Sequence, residues 1–98
     1  MHGLGADGHD FESVAIQLAE NAALPVRFVL PHAPSLPVTV NGGMMMPAWF
    51  DIIEMGNPEK TDWTGIENTR EKIEQLIERE IQLGVPAQNL VLAGFSQG

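Results

Sequence analysis

Ser96 stands between two glycines, in Gly94-Phe95-Ser96-Gln97-Gly98, directly after the apolar run Leu90-Val91-Leu92-Ala93. A serine hydroxyl is presented as a nucleophile when a sharp, strained turn between strand and helix lifts it clear of its neighbours. Glycines on both sides let the nearby backbone approach without Cβ clashes. With glycine near ~7% of residues and serine taken as similar, this pattern arises by chance in roughly 3% of chains of this length. The buried-strand run just before it supplies the context such a turn needs. The motif therefore reads as a nucleophile elbow with Ser96 as the catalytic residue.

Attack on a carbonyl places negative charge on its oxygen, so a nucleophile needs N–H donors beside it. In an α/β-hydrolase these come from the residue after the nucleophile and from an early glycine-rich loop. Gln97 and Leu4, the latter within His2-Gly3-Leu4-Gly5, occupy those positions. The same loop also spells G-x-G-x-x-G from Gly3 to Gly8, which opens a dinucleotide-binding alternative. That fingerprint wants an acidic residue about 20 residues on, at the end of the next strand. Here that strand ends Val29-Leu30-Pro31-His32, without an acid. His2, His9 and His32 all precede Ser96, whereas an α/β-hydrolase places its base after the nucleophile. Structural roles are assigned to all three, and their spacing matches no zinc motif such as H-E-x-x-H.

These residues must be positioned by regular elements. Phe11, Val14, Ala15, Leu18, Ala19 and Ala22 recur at helical spacing and predict an amphipathic helix ending near residues 21–24, before Pro25. Val26 to Leu30 reads as a short buried strand. Residues 31–62 hold five prolines and three glycines, so no long regular element fits there. A loop of such length in a compact domain is functional or disordered. Its Met44, Met45, Met46, Trp49 and Phe50 are too apolar for a disordered segment, and methionines make an adaptable wall for a ligand as well as core filler. A non-catalytic binding module displaying this loop is a third reading.

A second helix is expected from about Asp62 to Leu83. Ile66, Ile73, Leu76, Ile77 and Ile81 face inward, and Glu67, Glu71, Glu74, Glu78 and Glu80 face water. Gly84 and Pro86 stop it. Asn89 to Ala93 reads as a second buried strand running into the elbow. Helices between buried strands imply an α/β fold with parallel pairing.

The chain has 98 residues, 13 acidic against 5 basic side chains, a net charge of −8 and no cysteine. Its length suits one small domain. The acidic balance disfavours nucleic acid and anionic lipid as partners. No disulfide or cysteine nucleophile can form. No apolar run approaches the ~20 residues of a membrane span, and the opening residues lack the basic and apolar regions of a signal peptide, so none is expected. A cytoplasmic location is expected.

Three stretches resemble the phospholipase/carboxylesterase family, which includes bacterial carboxylesterases and the acyl-protein thioesterases. They are HGLGADGHDF (2–11), RFVLPHAPSLPVTVNGGMMMPAWFDI (27–52) and LVLAGFSQG (90–98). The resemblance implies an α/β-hydrolase fold and hydrolysis of a small-molecule ester or acyl-thioester by a Ser-Asp-His triad, without cofactor or metal. It makes Ser96 the nucleophile and the Leu4 and Gln97 N–H groups the oxyanion hole. It also sets Met44, Met45, Met46 and Trp49 beside the acyl site. Full-length members carry strands ahead of HGLG and their Asp and His beyond GFSQG. Residues 1–98 are thus expected to form a partial α/β-hydrolase domain that does not turn over substrate alone. The resemblance admits a homodimer for the full-length protein.

Overall fold

A computed structural model describes residues 1–98. The first element begins at Asp7, whose extended backbone lets its carboxylate accept the His9 N–H at 2.7 Å. A 3-10 turn, Gly8–Phe11, follows and leads into helix α1, Glu12–Asn21. The helix lies where its periodicity predicts, but its expected inner face is not covered. Ala15 alone of that set is buried, while Val14 and Leu18 are 44% and 56% exposed.

Within the proline-rich stretch the chain forms an antiparallel hairpin that the sequence reading did not anticipate. Strand β1, Ser35–Val38, pairs with β2, Met44–Pro47, so that Leu36 faces Met46 and Val38 faces Met44. The turn is a 3-10 piece, Thr39–Asn41, closed by Gly42 at φ 69. Asn-Gly between β-prone residues is a hairpin signal, but Pro37 and Pro47 mask it, because proline argues against a strand interior. A two-stranded ribbon resolves the conflict: both strands are edges, where a missing N–H costs nothing.

Helix α2, Trp63–Gln82, matches its predicted span closely. Asp62 caps it, its carboxylate accepting the Gly65 N–H at 3.0 Å. The other carboxylate oxygen accepts the Asp51 N–H at 2.9 Å and ties the preceding loop to the helix. Arg70 pairs with both Glu67 and Glu74 on the solvent face. Ile73 and Thr69 are buried, and the Thr69 hydroxyl donates to the Trp49 carbonyl, fixing the helix to the segment after β2. Val38, Ala48 and Trp49 complete the small core.

The two predicted strands, Val26 to Leu30 and Asn89 to Ala93, require correction. Residues 26–34 and 90–95 are extended or irregular but join no sheet, and residues 87–89 form a 3-10 turn. The reason is positional. The opening residues take the place beside the second run, bonded to Ala93 and Phe95 through Met1, while the His2 ring holds Ala33, just past the first run. The Met1 nitrogen donates to Ala93 O at 2.7 Å and Phe95 N donates to Met1 O at 3.1 Å, the alternation of a parallel ladder. Parallel pairing is thus present as a single rung, between the elbow strand and the opening residues rather than between the two predicted strands.

Candidate active site

The turn at residues 94–98 has the backbone its composition demands. Ser96 takes φ 55 and is the one non-glycine residue with positive φ. That left-handed geometry costs an L-residue roughly 1–2 kcal/mol, so it persists only where the surroundings impose it. The surroundings are close backbone. A Cβ on Gly94 would overlap the Gly98 carbonyl, and one on Gly98 would overlap the Met1 carbonyl and sit 2.7 Å from His2 O. The glycines flanking Ser96 are therefore required by contact with neighbouring backbone.

The opening loop lies against this turn. The Ser96 Cβ is 3.3 Å from where a Gly3 Cβ would stand, and Ser96 itself is exposed. The loop's amides are mostly claimed: Gly5 N–H by Pro47 O, Ala6 N–H by Gly3 O, Gly8 N–H by the His32 Nδ1, His9 N–H by Asp7. Leu4 N–H and Gln97 N–H donate to no protein acceptor. The structure thus places a free hydroxyl beside two segments that each carry a free amide. The same accounting leaves little for a dinucleotide. The amides of Gly8 and His9 are occupied, and the Asp7 carboxylate sits where a pyrophosphate would seek a helix N-terminus.

Two of the three histidines bond to backbone through their rings. His2 is 1% exposed, with Nδ1 against Gly3 O at 2.8 Å and Nε2 accepting the Ala33 N–H at 2.9 Å. Since Nε2 must accept, the bond to Gly3 O assigns the proton to Nδ1. The His32 Nδ1 accepts the Gly8 N–H at 3.0 Å and so fixes the opening loop. His9 is exposed and pairs with Glu12.

Trp49, grouped by sequence with the methionines, takes a different position from them. It is 4% exposed, its indole N–H donates to His2 O at 2.8 Å, and its ring lies on the His2 imidazole with centroids 4.9 Å apart. Met46 reaches the loop, its sulfur 4.0 Å from where a Gly5 Cβ would be. Met44 and Met45 sit toward the hairpin turn, 64% and 61% exposed. Sequence reasoning missed the side-chain work of Gln97. Its Oε1 accepts the Trp49 N–H at 2.9 Å, and its Nε2 donates to Phe50 O at 2.6 Å. Nothing in a single sequence marks that pairing, since residues 97 and 49 are joined only by the fold.

Residues 1–98 match the phospholipase/carboxylesterase family. The chain is 43% identical over its whole length to acyl-protein thioesterase 1 of Cryptococcus neoformans, of which it covers 42%. Among solved structures it superposes on Arabidopsis thaliana SOBER1 with a TM-score of 0.87 at 31% identity, covering 98% of this chain and 47% of that one. Zea mays acyl-protein thioesterase 2 gives a TM-score of 0.70 at 31% identity, covering 98% and 38%. The chain spans less than half the length of these relatives. Over that span it has their α/β-hydrolase fold, and no helix is long and apolar enough to cross a membrane. With the match running from the first residue to the last, the chain belongs to the phospholipase/carboxylesterase family.

Proposed function

We propose that this chain supplies the nucleophile and the oxyanion hole of a serine hydrolase that cleaves carboxylic esters or thioesters. The observation carrying the proposal is the pairing of Ser96, exposed at φ 55, with two unclaimed amides on the segments that meet at it. In the whole protein Ser96 Oγ attacks the substrate carbonyl after passing its proton to a histidine oriented by a carboxylate. The oxyanion is held by Leu4 and Gln97 N–H. Collapse of the tetrahedral intermediate expels the alcohol or thiol, and water then releases the acyl group from Ser96.

The 43% identity to an acyl-protein thioesterase favours acyl thioesters and esters as substrates. Met46 stands at the loop edge where an acyl chain would leave the site, with Met44 and Met45 further out. Trp49 serves this reading as a buried support rather than as an acyl contact. No histidine of 1–98 is bonded to the Ser96 hydroxyl: His2 has both ring nitrogens on backbone, the His9 Nδ1 pairs with Glu12 and the His32 Nδ1 accepts the Gly8 N–H. The 98-residue chain alone is therefore expected to show negligible turnover.

The test is a p-nitrophenyl ester and thioester assay on the 98-residue chain and on the whole protein carrying it. Expected are no turnover for the chain, and for the whole protein turnover that a fluorophosphonate blocks and Ser96→Ala abolishes. Turnover that survives Ser96→Ala would reject the assignment.

A further inference from the structure

The two free amides belong to segments far apart in sequence, and catalysis needs them at one fixed separation. A single short segment, Trp49-Phe50, holds both. On one side the Trp49 indole N–H donates to His2 O at 2.8 Å, two residues before Leu4. On the other, the Gln97 carboxamide closes a two-bond ring with the Trp49 N–H and the Phe50 carbonyl, at 2.9 and 2.6 Å. One carboxamide thus meets backbone groups of two successive residues, turned to the same side by the bend at Trp49-Phe50. The segment is itself anchored, since Trp49 O accepts the Thr69 hydroxyl of α2 and Trp49 is buried.

From these bonds, and resting on the hydrolase reading above, we propose that the Gln97 side chain is a positioning residue. Through Trp49-Phe50 it sets the distance between the Gln97 and Leu4 N–H groups that receive the oxyanion. The residue after the nucleophile thus has two separate tasks. Its amide stabilises charge, and its carboxamide fixes where that amide points. A carboxamide suits the second task because it offers one acceptor and one donor in a plane, one for the Trp49 N–H and one for the Phe50 carbonyl. Loss of the ring leaves the amide present but free to rotate, and a misplacement near 1 Å can cost about a hundredfold in rate. The loss falls on kcat, because the ground-state carbonyl depends on the hole less than the tetrahedral intermediate does.

The experiment compares Gln97→Met, Gln97→Glu and Ser96→Ala in the whole protein carrying this chain, with a p-nitrophenyl ester as substrate. Gln97→Met keeps length and volume but removes both bonds. Its expected result is a fall in kcat of about ten- to a hundredfold, with KM within about twofold of the parent. Gln97→Glu keeps the acceptor for Trp49 N–H but sets a second carboxylate oxygen against Phe50 O. Protonation restores a donor, so its kcat relative to the parent should recover on acidification into the carboxyl's own titration range. Arg70 and Glu74 line the same groove, so the ratio is also read in the Arg70→Gln and Glu74→Gln backgrounds. Recovery there as well assigns it to the introduced carboxyl.

An unchanged kcat in Gln97→Met, with Ser96→Ala inactive, overturns the positioning role and leaves the hydrolase reading intact. Turnover in Ser96→Ala overturns both. Should Gln97→Met not fold, Gln97→Glu decides alone: acid recovery supports the role, and a constant ratio rejects it.

Discussion

Ser96 holds a conformation that suits glycine better than any L-residue. The strain is local to one residue, and its relief is measurable. Ser96→Gly should raise the unfolding free energy of the whole protein by up to about 1 kcal/mol, since the left-handed penalty disappears, partly offset by the extra freedom of glycine when unfolded. Ser96→Ala, with the same Cβ, should leave it unchanged. Denaturant titrations of the three proteins check this, and equal stability of the glycine and alanine variants would show that the turn is unstrained. Trp49 gives a second expectation at this scale. Trp49→Phe keeps the ring against His2 but loses the donor to His2 O, leaving a buried carbonyl unpaired at a cost of about 1–3 kcal/mol. The positive-φ turn at the serine and the glycines beside it could be read from the sequence because they follow from local backbone geometry. His2, Gln97 and Thr69 could not be read as one network with Trp49, because only the tertiary fold brings them together.

At the scale of elements, α2 and its connection to the preceding loop depend on two aspartates. Asp62 caps the helix with one oxygen and holds Asp51 N–H with the other. Asp62→Ala should cost about 1–2 kcal/mol, toward the upper end of capping effects. Asp62→Asn should recover part of that, since its single oxygen can serve one of the two donors. Asp51 in turn accepts the Thr39 N–H at 2.8 Å and the Thr39 hydroxyl, joining the hairpin turn to the loop. Those bonds, the hydroxyl first, hold its carboxyl below the ordinary value. A folded-state value lower than the unfolded one means the carboxylate stabilises the fold above the unfolded value, and the contribution is lost as pH falls through the folded one. Melting followed into acid should show this loss, and Asp51→Asn should flatten that limb; an unchanged slope would refute the linkage. The helices were legible because a 3.6-residue period, a cap and a stop agree at each. The hairpin was not, since two prolines outweighed its Asn-Gly turn. The runs 26–30 and 89–93 carried strand composition, yet a strand is defined by its partner, and composition does not name one.

At the scale of the whole molecule, burial is low for the length. Nine of 98 residues are buried and the accessible surface is 7009 Å², against about 5,500 Å² for a folded monomer of this mass. The radius of gyration is 15.2 Å, where a compact domain of about 100 residues has about 13 Å. The excess is apolar and concentrated on particular segments: Val26, Phe28 and Val29 on one extended run, Val91 and Leu92 on the other, Val14 and Leu18 on α1. An open groove of about 430 Å³ between α2 and residues 92–98 is walled by Ile66, Ile73, Ile77, Trp49 and Leu92. Exposed apolar faces beside unpaired backbone favour association with other chains. The charge of −8 opposes that association at low salt, and salt screens the repulsion. The 98-residue chain is therefore expected to bind a hydrophobic dye, to lose monomer as salt rises, and to melt without a sharp transition. Amide exchange should separate the segments, with α2 and the β1–β2 pair protected and residues 26–30 and 91–93 exchanging at nearly unfolded rates, because the latter donate to no backbone acceptor. A cooperative melt of a monomer, with protection spread evenly over residues 26–30 and 91–93, would contradict this expectation. It would mean that the extended runs find partners within the chain, and the single parallel rung at Met1 would then be the start of a longer sheet.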